Sequence, residues 1–277
     1  MKKTTVRDVT LFIVLCLLAC LFLAPVLIVL MNSFKGKFFI SDTPFRFPDA
    51  TTFIGLKNYT DGVAKTGFFN AFGISLFITV CAVGIIVLLT AMTAWYITRV
   101  KSGFTKIIYY VFVFSMIVPF QMVMFTMTKT ANILHLDNPF GILLIYLGFG
   151  SGLSVFLYSG FVKSIPLEIE EADLIDGCTP VHSFFLVVLP ILKPIAITVA
   201  ILNVMWVWND YLLPLLVIGT EYRTIPIAIQ YLKGGYGSID MGAMMAMLVL
   251  AIVPIIVFYL FCQKYIIEGV VAGAVKG

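Results

Sequence analysis

Charge is scarce in this sequence. Of its 277 residues only 12% are charged, whereas 61% are hydrophobic, and the mean hydropathy is +1.07. A soluble domain has about 25% charged residues. Apolar runs of about 20 residues are typical of helices that cross a lipid bilayer. The composition therefore argues against a soluble globular domain and predicts a multi-pass membrane protein that contacts the lipid bilayer.

Residues that carry out chemistry are equally few. The two histidines stand alone, and the five cysteines show no spacing typical of metal ligands, so we expect no metal site and no disulfide framework. The chain has no Gly-x-x-x-x-Gly-Lys-Ser/Thr motif, since Gly36-Lys37 is followed by Phe38. We therefore expect no bound ATP, no catalytic residue, no cofactor held by this chain and no nucleic-acid partner.

Six apolar runs predict an all-α integral membrane fold that forms one domain over residues 1–277. Four of these runs contain an internal proline, which membrane helices tolerate when neighbouring groups satisfy the freed carbonyls: Pro25, Pro119, Pro214 and Pro254. Gly148 and Gly152 in the fourth run have the spacing of a close helix contact. The predicted transmembrane helices are 10–31, 71–98, 107–128, 139–161, 195–219 and 241–262.

Basic residues suggest the orientation of these spans. The side of the membrane with both termini has ten basic residues and the opposite side eight, which is a weak bias by total. Short loops have the greatest influence on orientation, and the eight-residue connection 99–106 holds three basic residues. We therefore expect cytoplasmic N- and C-termini, a cytoplasmic connection 162–194 and an external connection 220–240.

The cytoplasmic connection 162–194 gathers unusual negative charge. Pro166 favours a helix start, and acids near a helix N-terminus interact well with its dipole. Gly177 stands where that helix would end, and Thr179-Pro180 is typical of the start of a second helix. The pattern predicts helix, glycine turn, helix, with Pro190 and Pro194 breaking the second helix before the fifth span. A merely solvated loop stays open as an alternative. We expect its five carboxylates to face water, where they suit contact with a basic partner cleft: Glu168, Glu170, Glu171, Asp173 and Asp176.

Polar side chains inside the spans permit two interpretations. Asp210 is the one carboxylate predicted within a span, and it adjoins Asn209 near Trp206. Intramembrane charges usually face a bundle interior or a water-filled cavity. Aromatic rings and amides suit a sugar path, in which Gln121 is a further candidate. The same residues also suit a structural role in locking helices together.

The acidic connection resembles the Glu-Ala-Ala loop of ABC-importer permeases. Glu171-Ala172, Asp176-Gly177 and Leu189-Pro190 match the family pattern, whereas Asp173 and Cys178 stand where alanine is usual. The resemblance covers nearly the whole chain and is closest to the shorter subunit of maltose-type permease pairs. The segments that carry it further are NSFKG, GLKNYTD, AWYITRV, WNDYLLPL, RTIPIAI and AGAVKG.

The resemblance implies a type I importer permease of the bacterial plasma membrane. Such a chain pairs with a second homologous permease and with two cytoplasmic ATPase subunits that bind ATP and Mg. A binding protein outside the membrane delivers the sugar, and the connection Glu221–Asp240 would contact that protein through Arg223, Lys233, Gly234, Gly235 and Tyr236. The coupling contact with the ATPase would fall on Glu170, Glu171, Ala172, Asp176, Gly177, Leu189 and Pro190.

Two alternatives remain at the level of sequence. The same machine could carry another polar solute such as glycerol phosphate, although no lysine or arginine lies in the middle of a predicted span. An ion-coupled secondary transporter is the alternative from a different class. Such carriers often show inverted repeats and broken helices at the membrane midplane, and the sequence shows no internal repeat.

Overall fold

Helices dominate the part of the chain that the structure, a computed structural model, describes: residues 6–175, 177–232 and 239–274. The chain divides into two compact units, and several helices pass from one to the other. The first unit comprises residues up to 69 together with 228–254, and the second comprises 70–227 together with residues from 255 onward.

The helices follow one another with short connections. The first unit contains α1 (Val6–Asn32), α2 (Lys37–Asp42) and α3 (Lys57–Thr66). The second contains most of α4 (Phe68–Arg99), then α5 (Gly103–Ile117), α6 (Phe120–Ile133), α7 (Gly141–Val162), α8 (Leu167–Ile175), α9 (Pro180–Ile191), α10 (Lys193–Asn209) and α11 (Leu212–Val217). Parts of α12 (Ile225–Gln230) and α13 (Met241–Ala274) belong to each unit.

Four of these helices are long and apolar enough to cross a membrane by length and composition: α1, α4, α7 and α13. The count rises to six among the described residues if each of two bent pairs, α5 with α6 and α9 with α10, forms one span. Each predicted span overlaps a helix or a broken pair. The third and fifth predicted spans, however, are not continuous helices.

The break in the third predicted span lies at Pro119. The preceding Val118 has φ −76° and ψ 112°, which is extended backbone, and α5 and α6 meet at 109°. Proline disfavours the helical conformation in the residue before it. The prediction of a continuous helix through 107–128 is therefore wrong, because Pro119 ends one helix and begins another instead of being absorbed within one.

The second unit is organised around α7. Tyr146, Val155 and Tyr158 of this helix are fully buried, and 61% of its most apolar stretch is buried. One apolar cluster surrounds Tyr146 and another surrounds Tyr158. The second cluster includes Phe184 and Val188 of α9, so the acidic connection is anchored in the core through its second helix.

Gly152 allows α5 to approach α7 closely. A Cβ atom at Gly152 would stand 2.8 Å from the Phe112 carbonyl oxygen and 2.5 Å from Ser115 Oγ. A Cβ at Gly148, by contrast, would meet nothing within 4 Å. Of the two glycines in the sequence motif, only Gly152 is required by the observed packing.

Gly152→Leu is expected to lower the thermal unfolding midpoint of the purified chain in detergent, whereas Gly148→Leu leaves it nearly unchanged. Overpacking of a close contact costs about 1–3 kcal/mol, and the backbone oxygen of Phe112 cannot move away as a side chain can. Equal midpoints for the two variants would contradict the assigned α5–α7 contact.

In the first unit, Asn58 joins two distant segments. Its Nδ2 donates hydrogen bonds to the carbonyl oxygens of Ser33 and Lys35, each at 2.8 Å. The Lys35 side chain is fully buried and donates to the Thr43 carbonyl at 2.7 Å, and burial lowers its pKa. The NSFKG and GLKNYTD segments therefore fold against each other.

Candidate functional site

The acidic connection folds as helix, glycine turn, helix. The first helix, α8, spans Leu167–Ile175, and Gly177 adopts φ +84° after it. The Thr179 hydroxyl then accepts a hydrogen bond from the His182 amide at 3.3 Å, which caps α9. The predicted local pattern is confirmed, because proline, N-cap and glycine signals act over a few residues.

The continuation of α9 differs from the sequence-based expectation. Pro190 was expected to break the second helix, but α9 continues to Ile191 through a π-helical stretch at Phe184–Val188. The bend of 77° comes between Ile191 and Lys193. A π-helical stretch shifts the carbonyl that each amide meets, so the helix accommodates Pro190 just beyond it.

Glu170 is buried, although the acids of this connection were expected to face water. Only 6% of the residue is exposed. Its carboxylate accepts hydrogen bonds from Arg99 Nη2 at 2.6 Å and Nε at 2.9 Å, and from Trp95 Nε1 at 2.9 Å. Arg99 Nη2 also donates to the Ile165 carbonyl at 3.0 Å. The last turn of α4 thus holds α8 through a charged, two-donor contact.

The remaining acids of α8 differ in exposure. Glu168 and Glu171 are exposed, and Ala172 beside them is exposed as well. Asp176 lies outside the described residues. Leu189 packs partly against the core, while Pro190 is exposed. The exposed face of the loop is therefore carried by Glu171 and its neighbours, and Glu170 positions that face from behind.

Asp173, Cys178 and His182 come together across the glycine turn. Their ligand atoms lie within 4.8 Å of one another, a cluster that the sequence analysis missed. The Asp173 carboxylate accepts a hydrogen bond from the Ser183 hydroxyl and one from the Cys178 thiol, and these bonds lower its pKa. These bonds already account for the proximity, so we assign the cluster to closure of the turn.

Asp210 lies at a break between α10 and α11. Its Oδ1 accepts hydrogen bonds from the amides of Leu212 at 3.1 Å and Leu213 at 3.3 Å, and its Oδ2 accepts one from the Tyr146 hydroxyl at 3.1 Å. Tyr146 is fully buried in α7. Asp210 therefore caps α11 and links it to the central helix, and this arrangement explains why the fifth predicted span is interrupted.

The other candidates for a transport path differ in their contacts. Trp206 packs edge-on against Tyr146 with ring centroids 5.3 Å apart. Asn209 is exposed, and its Nδ2 donates to the Met205 carbonyl of its own helix at 2.7 Å. Gln121 is exposed at the start of α6. The structure thus joins Trp206 and Asp210 through Tyr146.

Asp210→Ala is expected to lower the thermal unfolding midpoint of the chain in detergent, because loss of a helix cap costs about 0.5–2 kcal/mol. Asp210→Asn is the matched control, since an amide oxygen still accepts from both backbone amides. An Asp210→Asn midpoint as low as that of Asp210→Ala would show that the charge, and not the cap, matters at this position.

The connection 220–240 is partly a packed element. The helix α12 begins at Ile225, whose amide donates to Ser75 Oγ at 2.8 Å. Arg223 Nε donates to the Thr220 carbonyl at 3.1 Å. The predicted contacts Lys233, Gly234, Gly235 and Tyr236 lie outside the described residues.

Comparison with known proteins gives consistent matches over the chain. Residues 88–271 match the family described as "Binding-protein-dependent transport system inner membrane component". The probable starch degradation products transport system permease protein of Thermoanaerobacterium thermosulfurigenes is 39% identical over 277 residues, which covers all of both chains. The multiple sugar-binding transport system permease protein of Streptococcus mutans is 33% identical over 270 residues, 96% of each chain.

A solved structure has the same fold. The chain matches a subunit in the crystal structure of a bacterial ABC transporter involved in the import of the acidic polysaccharide alginate. The TM-score is 0.77 at 20% identity, and the match covers 96% of this chain and 99% of the other. At this identity the likeness concerns the arrangement of the helices.

Proposed function

Because the chain belongs to the family of binding-protein-dependent transport system inner membrane components, a family of multi-pass proteins in the bacterial plasma membrane, we propose that it is one of two paired permeases that import a sugar or oligosaccharide. Such an inner membrane component is the non-enzymatic subunit of an ATP-driven importer. The sugar cargo is proposed because two relatives, matched over 100% and 96% of their length, are named for starch degradation products and for multiple sugars.

The observation that supports a coupling role is the arrangement of α8. Glu170 ties this helix to the last turn of α4, while Glu171 beside it stays exposed. A force applied to the exposed face would pass through the Glu170–Arg99 ion pair into a membrane-spanning helix. We assign the exposed face to a contact with a basic cleft of a cytoplasmic ATPase.

The other proposed partners follow from the same assignment. Two ATPase subunits bind ATP and Mg, a second homologous permease completes the pathway, and the connection 220–240 meets the external binding protein. Glycerol phosphate is disfavoured as cargo because an anion needs basic residues along its path, and the predicted spans contain no lysine or arginine in their middle.

Uptake measurements with the source bacterium test the proposal. Deletion of the gene is expected to abolish uptake of a labelled malto-oligosaccharide, and the tagged chain is expected to co-purify with an ATPase and a second permease. The purified complex should hydrolyse ATP faster when a binding protein and sugar are added. Uptake that stops with a protonophore while ATP is maintained would favour the secondary-transporter alternative, and competition by glycerol phosphate alone would change the cargo.

Thiol labelling tests the proposed orientation separately. In a background without cysteines, Ser164→Cys is expected to resist a membrane-impermeant thiol reagent in whole cells, and Glu221→Cys is expected to react. Both residues are exposed in the described part of the chain, so whether the reagent reaches them depends on the side of the membrane on which they lie. Labelling of Ser164→Cys without labelling of Glu221→Cys would show that the orientation is opposite to the one proposed.

A further inference from the structure

A pocket with a volume of about 430 Å³ opens where α4 and α7 end and α5 begins. This volume falls in the range of small-molecule sites, about 300–1,000 Å³. The pocket belongs to neither the Glu170 contact nor the Asp210 cap. The lining residues that bear on its chemistry are Thr98, Lys101, Lys106, Tyr109, Ser159 and Lys163.

The lining is strongly basic. Lys101, Lys106 and Lys163 contribute three positive charges, and no carboxylate is among the lining residues. The Lys163 ammonium lies over the Tyr109 ring, 5.4 Å from its centroid, which holds the charge at the pocket. Three like charges on one pocket repel one another, and a bound anion would offset that repulsion.

The start of α5 adds to this positive potential. Ser102 caps the helix by accepting a hydrogen bond from the Thr105 amide, and the first turn contains no acidic residue. Helix N-termini attract anions, so Lys101 and Lys106 at this end oppose the helix dipole. A bound anion would offset the repulsion between the lysines and their opposition to the dipole.

Two lining hydroxyls lack a hydrogen-bond partner. Ser159 is 1% exposed, and its Oγ, like Thr98 Oγ1, is buried without a partner. Buried polar atoms are usually paired, so each such group calls for an explanation. Hydroxyls donate readily to phosphate oxygens, and a phosphate in the pocket would account for them.

The helix that begins at the pocket exposes a large apolar surface. Phe104, Ile107 and Val111 of α5 are 69%, 63% and 61% exposed, on a segment that forms part of a candidate span. Basic pockets between membrane helices are known to bind phospholipid headgroups. We propose that this pocket binds the phosphate headgroup of an anionic phospholipid, since it opens where candidate spans end.

Native mass spectrometry of the full-length chain in detergent tests the proposal, with dioleoyl phosphatidylglycerol as probe and dioleoyl phosphatidylcholine as the zwitterionic comparison. The chain is expected to retain phosphatidylglycerol preferentially. Replacement of Lys101, Lys106 and Lys163 by Gln is expected to weaken retention by about a hundredfold, since each lysine near a lipid phosphate contributes about 1 kcal/mol. The matched control replaces three exposed lysines elsewhere, Lys57, Lys129 and Lys193, and should change affinity less than about twofold.

Gly103→Glu separates lipid binding from folding. Nothing lies within 4 Å of a Cβ atom at Gly103, and a carboxylate in the first turn stabilises a helix. This variant should therefore unfold no earlier than the wild type yet lose phosphatidylglycerol. Replacement of the three pocket lysines by Arg should preserve binding.

Four outcomes would overturn the assignment. The pocket variants could retain as much phosphatidylglycerol as the wild type, or phosphatidylcholine could bind as tightly. Displacement of the lipid by millimolar glycerol 1-phosphate would show a site for soluble phosphate esters. Unchanged lipid retention with loss of a co-purifying protein subunit would show a protein contact at this surface.

Discussion

Arg99→Gln is expected to reduce sugar uptake to less than about a tenth of the wild-type rate at matched membrane levels. Arg99 donates two hydrogen bonds to the buried Glu170 carboxylate, and both side chains are largely shielded, with 18% and 8% exposed. Removal of one partner of a buried pair costs about 3–5 kcal/mol, because the other charge is left uncompensated. The loss falls on α8, which then separates from α4.

The variants around this pair distinguish a specific contact from general damage. Arg99→Lys keeps the charge but not the two-donor geometry, so we expect intermediate uptake. The exchange of both residues, Arg99→Glu with Glu170→Arg, should recover part of the activity lost in either single variant. Glu168→Gln, an exposed change on the same helix, should transport normally.

The measurement is labelled-sugar uptake together with ATP hydrolysis by the purified complex. A coupling defect should leave basal ATP hydrolysis measurable and remove its stimulation by the binding protein. Normal uptake by Arg99→Gln, or an exchanged pair no better than the single variants, would show that the contact does not transmit force.

Gly177→Leu is expected to abolish uptake for a conformational reason. Gly177 has φ +84°, and nothing lies within 4 Å of where its Cβ would stand, so space is not limiting. A branched side chain in this region costs about 1–2 kcal/mol, which is small against the bundle but large for a docking surface. Gly177→Asn is the matched control, because asparagine tolerates positive φ and should retain most activity.

Glu171→Lys tests the exposed face that the Gly177 turn presents. A charge-assisted contact contributes about 1.5–3 kcal/mol, and its reversal should release the ATPase on co-purification. Glu168→Lys is the matched control, because it makes the same change of charge at another exposed position of the same helix and should leave the ATPase bound. Full uptake in both Glu171→Lys and Gly177→Leu would mean that the connection is only a linker.

Much of the molecule could be predicted from short-range pattern. Hydropathy identified the apolar segments, and Thr179, Gly177 and Pro166 predicted helix, turn and helix in the acidic connection. The resemblance to importer permeases is confirmed by the family match and by relatives that span the whole chain. These features depend on residues close together in sequence, whose conformational preferences act locally.

Other expectations failed where distant residues meet. Glu170 was grouped with exposed acids, but its partner Arg99 is 71 residues away. The fifth predicted span passes through Asp210 without a break. In the structure a helix ends there, and Asp210 accepts a hydrogen bond from Tyr146, 64 residues away. Hydropathy averages over a window, so a single capping carboxylate or one proline within an apolar run does not interrupt it.

By itself, the sequence determined that this chain is a membrane protein with six apolar segments and an acidic helix–glycine–helix connection, because hydrophobic length and local backbone preference are properties of short segments. Only the tertiary structure decided which acid of that connection is buried, which glycine of the fourth segment is a contact, and which lysines line one pocket. Those outcomes depend on which helices pack together, and packing brings together groups that no local pattern relates.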